Sequence, residues 1–286
     1  MKAYEYILEK QIQWALNRIQ LVGSKGQRGR RAYTPERNQN LFEPLEPDVL
    51  KSFKDADGNE INGKPDSPEK MQAVHSSSAL CVNIFQYWHK INQVPIIAAA
   101  CGLCLKNNNV SERIVFEEKY QIDKKFRFSP NIDVVIHNND SFKIKRFAIE
   151  CKFSEPYATQ GHLGLKRKYL TLENIWKDIP KLFAFASSIC PKEKYTYLHS
   201  AQLIKHILGL KKAVGKEKFR LLYLWYDVLG EEGTNHKKEI DDFTKIVKSD
   251  DIKFRALSIQ ELIVTLSNYY RSNHEEYIKY ITNRYL

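Results

Sequence analysis

Two short apolar segments, Asn131 to His137 and Ile144 to Phe153, constrain this chain most, because each sets an acid among β-branched and aromatic residues. The run Asn138-Asn139-Asp140-Ser141 between them is turn chemistry, so the pair predicts an antiparallel hairpin. Alternation places Ile132, Val134 and Ile136 on one face of the first strand and Asn131, Asp133 and Val135 on the other. In the second, Phe147, Ile149, Cys151 and Phe153 oppose Ala148, Glu150 and Lys152. Matching the apolar faces forces Asp133, Glu150 and Lys152 onto one side. A hairpin closing near Ser141 and Phe142 then sets Asp133 opposite Glu150, with Cβ atoms about 5 Å apart.

Two carboxylates at that separation repel by about 3 kcal/mol at an effective dielectric of about 20, and burial adds a desolvation cost. A positive charge is therefore expected beside them. Lys152 supplies one, and two convergent oxygen ligands with an open side also describe a Mg²⁺ site, with Mn²⁺ as an alternative. Such an ion binds a phosphate oxygen and acidifies a water, which Lys152 could orient or deprotonate. Acid-x-Lys triplets recur at Glu117 to Lys119, Asp123 to Lys125 and Asp251 to Lys253. Only Glu150-Cys151-Lys152 lies inside an apolar strand that directly follows another acid-bearing one.

A formal net charge of +11 points to a polyanionic partner. The basic clusters are Lys25, Arg28, Arg30 and Arg31, then Lys166, Arg167 and Lys168. No run reaches the roughly eighteen apolar residues that cross a bilayer, so no membrane association is expected. No secretion signal is visible, and the cytoplasm is the expected compartment. The odd cysteine count suits free thiols, and Cys101 and Cys104, without a second pair nearby, read as structural residues rather than a zinc site.

Along the chain, Ile7, Leu8, Ile12, Leu16 and Ile19 predict an amphipathic first helix. Residues 23 to 68, rich in Gly, Pro, Asn and charge, predict a long irregular arm. The division expected is an N-terminal helix and basic arm over 1–66 and an α/β domain with C-terminal helices over 67–286. A helix is expected from Ser67-Pro68, burying Met71, Val74, Cys81, Ile84, Phe85 and Trp88. A strand from Arg113 should carry Ile114, Phe116, Glu118, Tyr120 and Ile122 on one face. Further helices are expected over Ser200 to Lys212, Lys237 to Val247 and Ile259 to Tyr270, with strands at Phe219 to Tyr226 and Lys253 to Leu257.

The pattern Ser129-Pro130-Asn131-Ile132-Asp133-Val134-Val135-Ile136, followed by Phe147-Ala148-Ile149-Glu150-Cys151-Lys152-Phe153, resembles the PD-(D/E)xK nuclease superfamily. Within it the chain looks most like bacterial restriction-endonuclease-like proteins, over about residues 67 to 266, although Pro130 stands three residues before Asp133. The resemblance implies a restriction-endonuclease-like α/β core with a mixed central sheet flanked by helices. It implies Mg²⁺-dependent endonucleolytic hydrolysis of DNA, in restriction or defence. Asp133, Glu150 and Lys152 would be catalytic, with a further acid, Glu118, from the preceding strand and Glu112 and Glu69 as its rivals. The metal ligands would be Asp133, Glu150, Cys151 and Glu118. Gln202 and His206, four apart on one helix face, could also reach the site or simply pair with each other. Two other readings stay open: a non-catalytic DNA-binding or assembly module on a nuclease fold, and a repair or recombination nuclease that reads DNA structure. A homodimer would suit cutting both strands of a symmetric site.

Overall fold

The computed structural model describes residues 1–18, 32–64, 67–158 and 161–286. Before the sheet come α1 (Ala3–Leu16), α2 (Pro47–Asp55), α3 (Ser77–Lys90) and α4 (Val94–Ala100). The expected hairpin lies in a five-stranded sheet of order β1-β2-β3-β4-β5. Strands β1 (Ser111–Lys119), β2 (Asn131–Asn138) and β3 (Arg146–Lys152) form an antiparallel meander. Strands β4 (Phe219–Trp225) and β5 (Phe254–Ser258) continue it in parallel.

Parallel neighbours need crossover connections, which helices supply. Between β3 and β4 the chain forms α5 (Arg167–Leu170), α6 (Glu173–Trp176), α7 (Pro180–Ser188) and α8 (Ser200–Val214). Between β4 and β5 it forms α9 (Glu231–Lys248), and α10 (Ile259–Tyr270) and α11 (Glu275–Tyr285) follow. This is an α/β fold with a mixed sheet between helical layers, consistent with a restriction-endonuclease-like core. On one face Val134, Ile136, Ile149, Cys151 and Phe153 meet Cys81, Phe85 and Trp88 of α3 together with residues of α10 and α11. On the other, Val135, Ala148, Leu221 and Tyr223 meet Leu182 of α7, Ile204 and Leu208 of α8 and Phe243 of α9.

Helix α3 begins about ten residues later than the Ser67-Pro68 signal predicts. Its cap is Ser76, whose Oγ accepts the Ala79 N–H at 3.2 Å. Upstream, Thr34 donates its N–H to the Gln72 carbonyl and Val74 donates to Ala32, so the backbone there, a short 3-10 turn over Lys70–Gln72 and the residues after it, is paired to a distant segment. Nor is the expected arm irregular throughout. Residues 47–55 form α2, with Pro47 at its first position, and Phe53 packs on Phe116 of β1 with ring centroids 5.9 Å apart. Leu41, Val49, Phe53 and Ile61 join the core above the sheet. Lys25, Arg28, Arg30 and Arg31 fall outside the described residues, as does Ile19.

Strict alternation fails in two adjacent strands at the same level. Ile114 and Phe116 belong to one apolar layer, whereas Tyr120 and Ile122 belong to the other. Likewise Val134 and Ile136 lie on one side while Ile132 lies on the other. The break in β1 is at Glu117, which holds the left-handed conformation at φ 54°, a region where a side chain is strained.

Buried histidines give this fold a pH signature. His236 has its Nε2 3.0 Å from the Tyr223 hydroxyl and its Nδ1 3.0 Å from the Tyr157 hydroxyl. Because Tyr157 donates its own proton to the Tyr226 carbonyl, His236 donates through Nδ1 and accepts from Tyr223 at Nε2, which is a neutral ring. Burial holds its pKa down at about 3. His199 is likewise held at about 3, by burial first and then by His162 and Lys152. Unfolded histidines protonate near pH 6.5, so between about 6.5 and 3 the unfolded chain binds more protons. Stability is therefore complete above that window and lost as pH falls, by up to about 1.4 kcal/mol per pH unit for each histidine. The urea midpoint of a His236→Gln variant should therefore fall less steeply from pH 7 to 5 than that of the parent; equal slopes would contradict the neutral ring.

Candidate active site

The register of the meander is the one the turn predicts. Val134 stands opposite Ile149 in β3 and opposite Phe116 in β1, while Ile132 stands opposite Glu118. Glu117, Asp133 and Glu150 therefore fall at one level across three neighbouring strands, where the β2–β3 ladder ends. The Asp133 carboxylate spans that gap, accepting the Cys151 N–H at 2.7 Å. Glu150 is fully buried on the α8 side, where its Oε1 takes the Lys152 ammonium at 2.6 Å and its Oε2 lies 2.9 Å from His206 Nε2. Of the two side chains considered on α8, His206 thus reaches the site through Glu150.

The electrostatics divide these acids. Burial would raise Glu150, but Lys152 and His206 outweigh it and hold the carboxyl down at about 2. Asp133 has no such partner; burial and then Glu150 push its pKa well above the carboxylate range, against the pull of Lys152. Glu117 rises to about 7 through burial, with Glu60 and Glu150 adding to it and an Asn131 hydrogen bond opposing it. Lys152 is held well above the usual lysine value: burial disfavours its charge, yet Glu150, Asp133 and Glu155 more than compensate.

Glu118, the expected upstream acid, is turned away. The flip at Glu117 sends Glu118 toward His137, which it meets at 2.8 Å, and His137 in turn meets Arg113 at 3.1 Å. Glu69 pairs with Arg37 at 2.9 Å, and Glu112 is exposed. Glu117 takes the place assigned to Glu118. A two-residue period assigns it to the wrong face, and no other signal in the sequence marks it.

The three acids gather negative charge around one ammonium, but among the described residues their oxygens do not all lie within 4.8 Å of one another. Asp133 itself groups with Cys81 and Cys151 of the α3-side layer, one ligand atom from each within 4.8 Å of the others, so it does not share with Glu150 the single face that strand alternation predicts. Burial pushes both thiols up in pKa, so they remain protonated near neutral pH, whereas soft-metal ligation needs thiolates.

With this geometry in hand, comparison with known proteins gives one match. The model of a family described as "Restriction Endonuclease associating with ARP" matches residues 9–286. No curated protein and no solved structure matches the chain significantly. No helix among the described residues is long and apolar enough to cross a membrane.

Proposed function

We propose, from the premise that this chain belongs to the family described as Restriction Endonuclease associating with ARP, that it hydrolyses DNA phosphodiesters with a PD-(D/E)xK-type site, in restriction or defence. The observation that carries this reading is the row Glu117, Asp133 and Glu150 across three adjacent strands, with Lys152 fixed at its end. Asp133 and Glu150 would hold Mg²⁺, with Glu117 in place of Glu118. When bound, the ion supplies Lewis acidity to a phosphoryl oxygen and lowers the pKa of a water. The chain's own contribution is positioning. Glu150 clamps the Lys152 ammonium on a side chain that is 16% exposed, where it would orient a water or meet charge on the phosphate. His206 holds the far oxygen of Glu150 and fixes its rotamer. Supercoiled and linear DNA incubated with and without Mg²⁺ test this. Cleavage should require the ion and fall at least about 100-fold in Lys152→Ala; metal-independent cutting, or full activity in that variant, would refute the reading.

Support for DNA as the substrate also comes from a basic track. Lys166, Arg167 and Lys168 are exposed at the start of α5. Lys205 of α8 directly precedes His206, which meets Glu150, and so adds a further basic side chain beside the site. Affinity for duplex DNA should fall linearly in log–log form with salt, and replacing Lys166, Arg167 or Lys168 by Ala should reduce the slope by about 0.9 for every phosphate that the side chain neutralises. A slope unchanged in the triple variant would remove α5 from the interface.

A further inference from the structure

Beside the carboxylate row lies a cleft with different chemistry. Its volume is about 910 Å³, and its walls include Tyr4, Tyr33, His75, Glu60 and Glu155. That volume is within the range of about 300 to 1,000 Å³ that encloses a small organic group. The cleft adjoins the site through the chain itself, because Ser154 and Glu155 in its wall lie two and three residues beyond Lys152.

The aromatic walls stand edge to face around His75, with Tyr4 at 5.9 Å and 79° and Tyr33 at 6.4 Å and 86° between ring planes. The Ser154 hydroxyl donates to the main-chain carbonyl of His75 at 3.2 Å, and the ring Nε2 lies 3.4 Å from the Tyr4 hydroxyl. The ring Nδ1 is buried without a hydrogen-bond partner. A buried polar atom in that state is costly and suits a ligand that brings its own donor or acceptor. Glu60 is paired with Lys70 of the same wall at 3.0 Å, which leaves the exposed Glu155 as the carboxylate able to accept N–H groups. Ring faces, an acceptor and an unsatisfied imidazole nitrogen together describe a receptor for a planar heterocycle with N–H donors, which is a nucleobase.

We infer that this cleft receives one unpaired nucleotide of the DNA, its base against Tyr4 and His75 and its N–H edge toward Glu155, with the adjoining phosphate toward Lys152. The inference rests on the nuclease reading and narrows it to substrates with an unstacked base at the cut. A paired duplex must lose stacking to fill the cleft, whereas an unpaired nucleotide has already lost it.

The test is binding in EDTA, followed by fluorescence anisotropy, of two labelled duplexes that differ only by a single-nucleotide bulge. The wild-type chain should bind the bulged duplex about tenfold more tightly. Tyr4→Ala should reduce that preference to less than about twofold while keeping affinity for the plain duplex, and Tyr4→Phe should preserve it. Glu155→Ala, at an exposed position, gives an independent reading should Tyr4→Ala fail to fold; it too should lose the preference. Equal binding of both duplexes by a wild-type chain that cleaves DNA overturns the subsite alone, as does a preference that survives in the Tyr4→Ala and Glu155→Ala variants. A wild-type chain that binds neither duplex overturns the nuclease reading and the subsite together.

Discussion

Asp133→Asn should lose at least about 10³-fold in Mg²⁺-dependent cleavage, some 4 kcal/mol of transition-state stabilisation, without losing stability. The two effects separate because this carboxylate is unfavourable in the folded chain. Burial, Glu150 and Glu117 all oppose its charge, and only Lys152 and the Cys151 N–H favour it. An Asn oxygen still accepts that N–H, so the link between β2 and β3 survives while like-charge repulsion is relieved. Thermal midpoints should be equal to the parent or higher. Glu150→Gln should be equally inactive but less stable, because Lys152 and His206 lose the anion that satisfies both. Glu117→Gln should impair cleavage and Glu118→Gln should not, since Glu118 faces His137. Full activity in Asp133→Asn would sink the site, and equal effects at 117 and 118 would sink the assignment of the third acid.

Arg284→Ala should cost about 3 to 5 kcal/mol, a fall of about 10 °C in Tm for a chain of this size. Arg284 is 1% exposed and its acceptors are neutral. Its Nε donates to Gln11 Oε1 at 3.1 Å, one terminal nitrogen to the Asn40 carbonyl and the Tyr280 hydroxyl, each at 2.7 Å, and the other to Asn40 Oδ1 at 2.5 Å and the Val74 carbonyl at 3.2 Å. Its guanidinium also lies 4.2 Å from the Trp14 ring centroid. One side chain of α11 thus fastens α1, the 37–40 segment and the approach to α3. Truncation leaves several buried acceptors unpaired around a cavity. Lysine cannot replace it, because three donors on a single nitrogen do not reach these directions. Since α1 carries Tyr4 and borders the cleft, Arg284→Ala should also reduce the preference for the bulged duplex. A midpoint within about 2 °C of the parent would show that the N-terminal segments are held by other interactions.

How much of this was legible in the sequence depended on the range of the forces involved. The hairpin register, the central apolar strand over Phe219 to Trp225 and the span of α10 came from turn chemistry and periodicity, which are local. So did the coupling of Glu150 to Lys152, two residues apart on one strand face. Local signals misplaced the start of α3, because the segment before it spends its backbone groups on residues 32–34, some forty positions away. They also missed α2, whose apolar residues are sparse and gain stability from Phe116 rather than from helix propensity.

Alone, the sequence determined which residue types meet: an acid on each of two adjacent strands, and a lysine beside the second. Tertiary structure decided which acid completes the row and which face each one serves. A left-handed residue at Glu117 and a matching break near Asp133 rotate both strands out of their two-residue period, exchanging Glu118 for Glu117. Periodicity assumes an unbroken strand. Whether a strand breaks depends on what packs against both its faces and on the neighbour that must break with it, and that packing exists only once the chain has folded.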